Sequence, residues 1–265
     1  MLRIPFHCTS SNDRGISESI GFIIIFAIII AGIGLVTLYG YPMLLQQQIS
    51  ADEQIMEKNM IVLQNDIKSL AYKTVPFKET SLKIGGGTLT VHNSGESSPS
   101  SVITISDAGG AVYVDHFRPG ELRYESISAQ TDISLQDGAV MMRPRILKGS
   151  TMLAEPRWFY DTKTQTLVIN LINITSTTVM AKEGIGTVQM TLGDTDYTYI
   201  SPVSTGTIRI AYESNPNQDY SAAWDNFMKT TFSINPSISG STHTYTLNPV
   251  NTLVIKKYEV RIKSI

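Results

Sequence analysis

Asp13-Arg14-Gly15-Ile16-Ser17-Glu18-Ser19-Ile20-Gly21-Phe22 opens an apolar run that continues to Leu45 with no charged residue after Glu18. Residues 20–45 are almost all Ile, Phe, Leu, Val, Ala and Gly, and at ~1.5 Å per residue they make a helix of roughly 39 Å. That length crosses a hydrocarbon core of about 30 Å. A core strand or a buried soluble helix would not stay apolar for so long, so the run predicts a membrane helix. A cleaved secretory signal has a shorter apolar region followed by a small-residue cleavage site. Here the run ends in Leu38-Tyr39-Gly40-Tyr41-Pro42, and the polar, processing-like site stands in front of it.

A short polar leader, a basic residue and Gly, then a helix with Glu near its start is the layout of class III signal peptides. On Arg14-Gly15-Ile16-Ser17-Glu18, the chain resembles archaeal type IV pilin-like proteins. The resemblance implies a leader peptidase that cuts after Gly15 and makes Ile16 the mature N-terminus. It also implies an assembly role for Glu18, which stands third in that mature chain, where well-known bacterial pilins carry the residue fifth. Arg-Gly-Ile-Ser-Glu-Ser-Ile-Gly-Phe, Leu63-Gln64-Asn65-Asp66-Ile67 and Gly138-Ala139-Val140-Met141-Met142 are also similar to a set of uncharacterised archaeal single-pass membrane proteins with pilin-type leaders. Their likeness implies a topology and little chemistry.

The charges agree with that topology. Arg3 and Arg14 flank the N-terminal side, whereas Asp52, Glu53 and Glu57 open the other flank. Positive-inside reasoning predicts a cytoplasmic N-terminus and an extracellular C-terminal domain. Tyr39 and Tyr41 suit an interfacial belt, and Pro42 is expected to kink the helix there. Gly32, Gly34 and Gly40, with Ala27 and Ala31, would let another helix approach, which makes like subunits candidate partners beside membrane lipid.

Beyond the apolar run, Leu45, Ile49, Met56, Met60, Leu63, Ile67 and Leu70 recur at steps of three and four, with Asp52 filling the gap. This stripe predicts that one helix runs to about Tyr72 and stops before Val75-Pro76. The stripe must be covered, either by the protein's own β domain or by neighbouring helices, and packing within the chain is the expectation. Past Pro76 the period drops to two. The spacing predicts strands at 101–105, 111–115, 121–127, 131–135, 140–143, 151–159, 166–174, 187–192, 197–201, 205–212, 242–247 and 252–262. Residues 81–84 and 88–91 bracket Gly85-Gly86-Gly87 and read as a hairpin. The strand at 166–174 reads as central. A short helix capped by Asp219 or Ser221 carries Trp224, Phe227 and Met228 as a plug over a sheet end.

The expected organisation is therefore a leader at 1–15, an N-terminal helix at 16–75 and a β-rich extracellular domain at 76–265. Within that helix, the transmembrane part covers about 20–45 and the extracellular extension 46–74. The fold class is a long transmembrane α-helix followed by a mainly antiparallel, sandwich-like β domain with one short helix. The net charge of −2 argues for neither a nucleic-acid surface nor a polybasic membrane patch. Cys8, the single cysteine, lies in the leader, so the β domain has no disulfide.

Signals for chemistry are sparse. His92, His116 and His243 show no zinc spacing, and there is no nucleophile elbow, P-loop or dinucleotide fingerprint, so neither an enzyme nor a cofactor or metal is expected. Asp194 and Asp196 could contribute oxygen ligands to Ca²⁺, though a plain acidic turn explains them as well. Asn173-Ile174-Thr175 is a glycosylation sequon on the extracellular side of the expected topology. Tyr113, Phe117, Tyr124, Trp158, Tyr160, Tyr197, Tyr199 and Tyr212 would suit either a carbohydrate-stacking face or ordinary sheet packing. Two functions remain open at this point. One is a non-enzymatic, pilin-like subunit or minor component of an archaeal type IV pilus-like assembly. The other is a monomeric anchored ectodomain that binds an envelope component or a partner protein.

Overall fold

The computed structural model describes residues 13–73, 75–94 and 101–265, with side chains from Ser19 onward. The leader residues 1–12, Cys8 among them, and most of the Ser-rich loop lie outside the described residues. Helix α1 (Asp13–Leu35) passes through a single π turn at Val36–Gly40 into α2 (Tyr41–Lys73). The π turn is closed by the Tyr41 N–H donating to the Val36 carbonyl. It sits immediately before Pro42, whose missing N–H interrupts the regular ladder. The irregularity expected at Pro42 therefore takes the form of a widened turn upstream of it.

The described chain divides into two compact units between Ile49 and Ser50, inside α2 and not at Pro76. In the first unit the apolar side chains of residues 20–45 are exposed, and among the described residues one helix is long and apolar enough to cross a membrane. The chain thus carries a single-pass anchor.

In the second unit the described residues form two sheets. The strands are β1 (Phe77–His92), β2 (Val102–Asp107), β3 (Val112–Phe117), β4 (Glu121–Ser126), β5 (Thr131–Gln136), β6 (Ala139–Pro144) and β7 (Thr151–Ala154). They continue with β8 (Phe159–Asp161), β9 (Thr166–Ser176), β10 (Met180–Ile200), β11 (Ile208–Glu213), β12 (Ser237–Ser239), β13 (Thr242–Leu247) and β14 (Thr252–Ser264). One sheet has nine strands in the order β7-β6-β5-β4-β1-β10-β14-β9-β8; the other has five, β12-β13-β11-β2-β3. Pairing is antiparallel throughout except between β9 and β14.

Residues on opposite faces of the nine-stranded sheet feed two cores. Met56, Met60, Leu63, Ile67 and Leu70 of α2 are fully buried against Leu82, Leu89, Leu122, Ile133, Val188 and Val260. The chain covers its own stripe, although Leu45, expected at its start, stays exposed. The other face packs through Met141, Leu167, Ile169 and Leu253 against Ile105, Ile208 and Ile210 of the five-stranded sheet and against α3 (Ser221–Phe232). Trp224, Phe227 and Met228 of α3 are all buried there, with Trp158 and Trp224 centroids 5.1 Å apart. The fold class is as the sequence predicts: a long apolar helix, then a mainly antiparallel β unit with one short helix.

Several strand assignments are corrected. Gly85-Gly86-Gly87 makes no hairpin, because β1 runs straight through it. A Cβ at Gly87 would stand 2.3 Å from the Glu125 carbonyl oxygen, and one at Gly85 would stand 2.5 Å from Asp52 Oδ1. The glycines admit β4 on one side and α2 on the other, and the register against β10 shifts between Ile84 and Leu89. The segments at 187–192 and 197–201 are one strand, β10, bulged where Gly193 leaves room for Glu259. The segment at 151–159 splits at Pro156 into β7 and β8, as expected from a residue that cannot donate to a ladder. Strand β9 lies second from an edge and not at the centre, and it reads as apolar on both faces because it separates the two cores.

Candidate functional site

The residues singled out in the sequence sit in two places. Arg14, Gly15 and Ile16 lie in the first turn of α1 with Glu18 just after, and their side chains are outside the described residues. Pro42 is exposed in the first turn of α2. Among the described residues, a Cβ at Gly21, Gly32 or Gly34 would meet no atom within 4 Å beyond the neighbouring backbone of its own helix.

Asn173 lies mid-strand in β9, opposite Glu259 of β14, and its carboxamide oxygen is buried without a partner. The Thr175 hydroxyl donates to Glu259 Oε1 at 2.9 Å. The sequon is thus held inside a paired strand. Asp194 is exposed and lies 3.4 Å from Arg261, while Asp196 Oδ1 accepts from the Tyr197 N–H at 2.8 Å. His116 pairs with Asp115 and His243 with Asp225, on different strands from His92. Among the described residues no three His, Cys, Asp or Glu side chains gather for a metal.

What the structure does bring together is a cleft where α2 ends on the sheet. Its wall is the last helical turns, with Lys68, Tyr72 and Lys73, and the β7–β8 connection supplies Glu155 and Arg157. The cleft volume there is about 760 Å³. It continues as a second hollow of about 530 Å³ over Phe159, Val168, Asn170, Val254, Lys256 and Tyr258. Tyr72 meets Tyr258 edge-on at 5.4 Å, and the Arg157 guanidinium lies 4.7 Å above the Tyr72 ring. The Lys68 ammonium donates to the Glu155 backbone carbonyl at 3.1 Å. Burial pulls the Lys68 pKa down and Arg157 adds to that, with the Glu155 charge opposing them. Burial, followed by the charge of Asp137, drives the Tyr72 phenol up.

Asp137 explains how this end of the sheet is shaped. Asp137 and Gly138 both adopt positive φ, +48° and +71°, as a two-residue hairpin turn requires. The turn is inward-facing: Gln64 Nε2 donates to the Gly138 carbonyl at 2.6 Å, and Asp137 Oδ1 accepts from the Ile172 N–H at 2.8 Å. Asp137 Oδ2 has no partner, and burial raises its carboxyl well above the usual 3.8. The folded chain therefore holds this proton more tightly than the unfolded chain. Its contribution is fully present below the ordinary aspartate range and is lost as pH rises toward the folded value. Asp137→Asn keeps the acceptor and cannot ionise. Urea midpoints of the detergent-solubilised protein from about pH 4 to about pH 8 should fall for the wild type and fall less for the variant.

A second polar group, also unread in the sequence, lies on the sheet's other face. Arg123 pairs with Glu121, which accepts from the Ser134 hydroxyl, and Asp132 pairs with Arg143 and Arg145. The adjoining cavity, lined by Ser101, Gln136 and Tyr220 among others, is about 10 Å³, room for one water and no substrate. This network is structural.

No curated protein and no solved structure matches the chain. Residues 14–263, which take in the processing-like site, the anchor and both sheets, match DUF7289, a family of unknown function, and the chain belongs to that family.

Proposed function

We propose that the chain is a non-enzymatic, pilin-like surface protein, a subunit or minor component of an archaeal type IV pilus-like assembly. Its N-terminus faces the cytoplasm and its β unit faces outward. The observation that carries this reading is the Arg14-Gly15-Ile16 site directly ahead of an apolar helix that remains on the chain. The uncontacted Gly21, Gly32 and Gly34 support it, since small residues allow close approach of a second helix. Glu18 would act at that contact, and Pro42, beside the π turn, would set where the helix bends within it.

Intact mass of native protein from separated membrane and sheared-surface fractions tests the reading. A chain beginning at Ile16 in the sheared fraction is expected, and Gly15→Leu should leave the leader in place. Full-length chain from Met1, confined to membranes, would overturn it. The second reading, a monomeric anchored ectodomain that binds an envelope component, is favoured by the cleft around Tyr72 and Arg157.

A further inference from the structure

We propose that the cleft between the end of α2 and the β10-β14-β9-β8 surface binds an acidic saccharide, a short run of sugar rings bearing carboxylates or sulfates. The site is independent of whether subunits assemble.

Charge is the first argument. Lys68, Lys73, Arg157 and Lys256 line the two connected hollows against one carboxylate, Glu155. Among the described residues none of these four cations has a carboxylate within ion-pair distance, whereas Arg123, Arg143, Arg145 and Arg261 all do. The chain's net charge is −2, so this local excess of cations is not a reflection of the whole. Arg157 and Lys256 are instead held over the rings of Tyr72 and Tyr197, at 4.7 and 5.9 Å. That arrangement orients the cations while leaving them free to meet an anion.

Shape is the second. Tyr199, Val254, Val168 and Phe159 are directly opposite one another across four neighbouring strands, so their side chains share one face. The next row is Tyr197, Lys256 and Asn170. The row after that, with Tyr258, lies against Tyr72 of the helix. Toward the β10 and β8 ends these rows open to solvent, where Tyr197, Tyr199 and Phe159 are 56%, 58% and 47% exposed, while Val168, Val254 and Lys256 are half-buried and Asn170 is buried. Four strands at about 4.8 Å spacing make a shelf roughly 14 Å across. That is too long for a single inorganic anion and suits several rings in sequence, with aromatic faces for their apolar sides and cations for their acids. A neutral sugar would use only the aromatic shelf, and an isolated phosphate only the Arg157 end.

The test is calorimetric titration of full-length protein in neutral detergent micelles with trigalacturonic acid, its methyl ester as the uncharged control, and glycerol 1-phosphate as a lipid-headgroup mimic. Trigalacturonic acid should bind, the ester about tenfold or more weaker, a difference of ~1.4 kcal/mol or more. Arg157→Gln and Lys256→Gln should each weaken the acid severalfold and leave the ester unchanged. Lys73→Gln, at an exposed position like Arg157, provides an independent third variant, and unchanged unfolding midpoints confirm that all three fold. Equal binding of acid and ester would overturn the proposal. So would no binding of the acid, an affinity indifferent to the three variants, or glycerol 1-phosphate binding where the acid does not. None of these results touches the mature N-terminus on which the pilin-like reading stands.

Discussion

A chain beginning at Ser50 is expected to fold and remain in solution, and one beginning at Phe77 is expected not to fold. The C-terminal half of α2 is a wall of the β unit. Met56, Met60, Leu63, Ile67 and Leu70 are fully buried and Ala71 nearly so, all against strands of the nine-stranded sheet. At about 1.5–3 kcal/mol for each large apolar side chain buried, this face is worth roughly 10 kcal/mol. Whole domains of this kind are stable by only about 5–15 kcal/mol. Removing the face also uncovers Leu82, Leu89, Leu122 and Ile133 as one apolar surface, which invites aggregation. By contrast, among the described side chains that a cut before Ser50 removes, none is buried: Leu44, for example, is 65% exposed. Soluble yield and circular dichroism of the two truncations decide the matter. A folded Phe77 chain would mean that the sheet stands without its helix. Within the full chain, Leu63→Ala should cost about 2–5 kcal/mol in urea unfolding, and Leu44→Ala should cost nothing measurable.

The same helix shows why the anchor and the stripe were legible in the sequence. Length and unbroken apolarity identify a membrane helix without tertiary information, and the three-four spacing from Met56 to Leu70 identifies a covered face. Neither signal reports what does the covering. Gly85-Gly86-Gly87 was misread because glycine is required both by turns and by close backbone approach, and only the position of Glu125 and Asp52 separates the two. In β5 the alternation of Ile133 and Leu135 with Asp132, Ser134 and Gln136 reads as a strand with one wet face. The structure buries both faces: on the polar side Ser134 bonds to Glu121, and Gln136 meets Ser101 and shares a small cavity with Tyr220, a cover assembled from segments far apart in the chain. The cleft was illegible for a related reason. Tyr72, Arg157, Lys256 and Tyr199 are brought together by a helix end, a loop and two strands, and no spacing in one dimension announces them. Tyr197 and Tyr199 were visible as candidates for a stacking face, but Trp158 and Tyr212 of the same set prove to be core.

Arg123→Met should destabilise the β unit by about 3–5 kcal/mol, more than its conservative volume change would suggest. Arg123 and Glu121 pair with side chains only 8% and 9% exposed, and the Ser134 hydroxyl donates to the other Glu121 oxygen. Gln136 joins through Ser134 and reaches Ser101 at 2.5 Å, which ties β5 to the segment entering β2. Removing the guanidinium leaves the Glu121 carboxylate buried without its cation, a state that costs more than the pair contributed. Glu121→Gln in the Arg123→Met background should therefore restore part of the loss, because the amide needs no counter-charge. The two changes together should cost less than the sum of each alone by about 0.5–3 kcal/mol. Additive urea midpoints would mean that the network is only a set of independent surface-grade pairs. That is difficult to reconcile with charges held between two sheets, where partial satisfaction is worse than none.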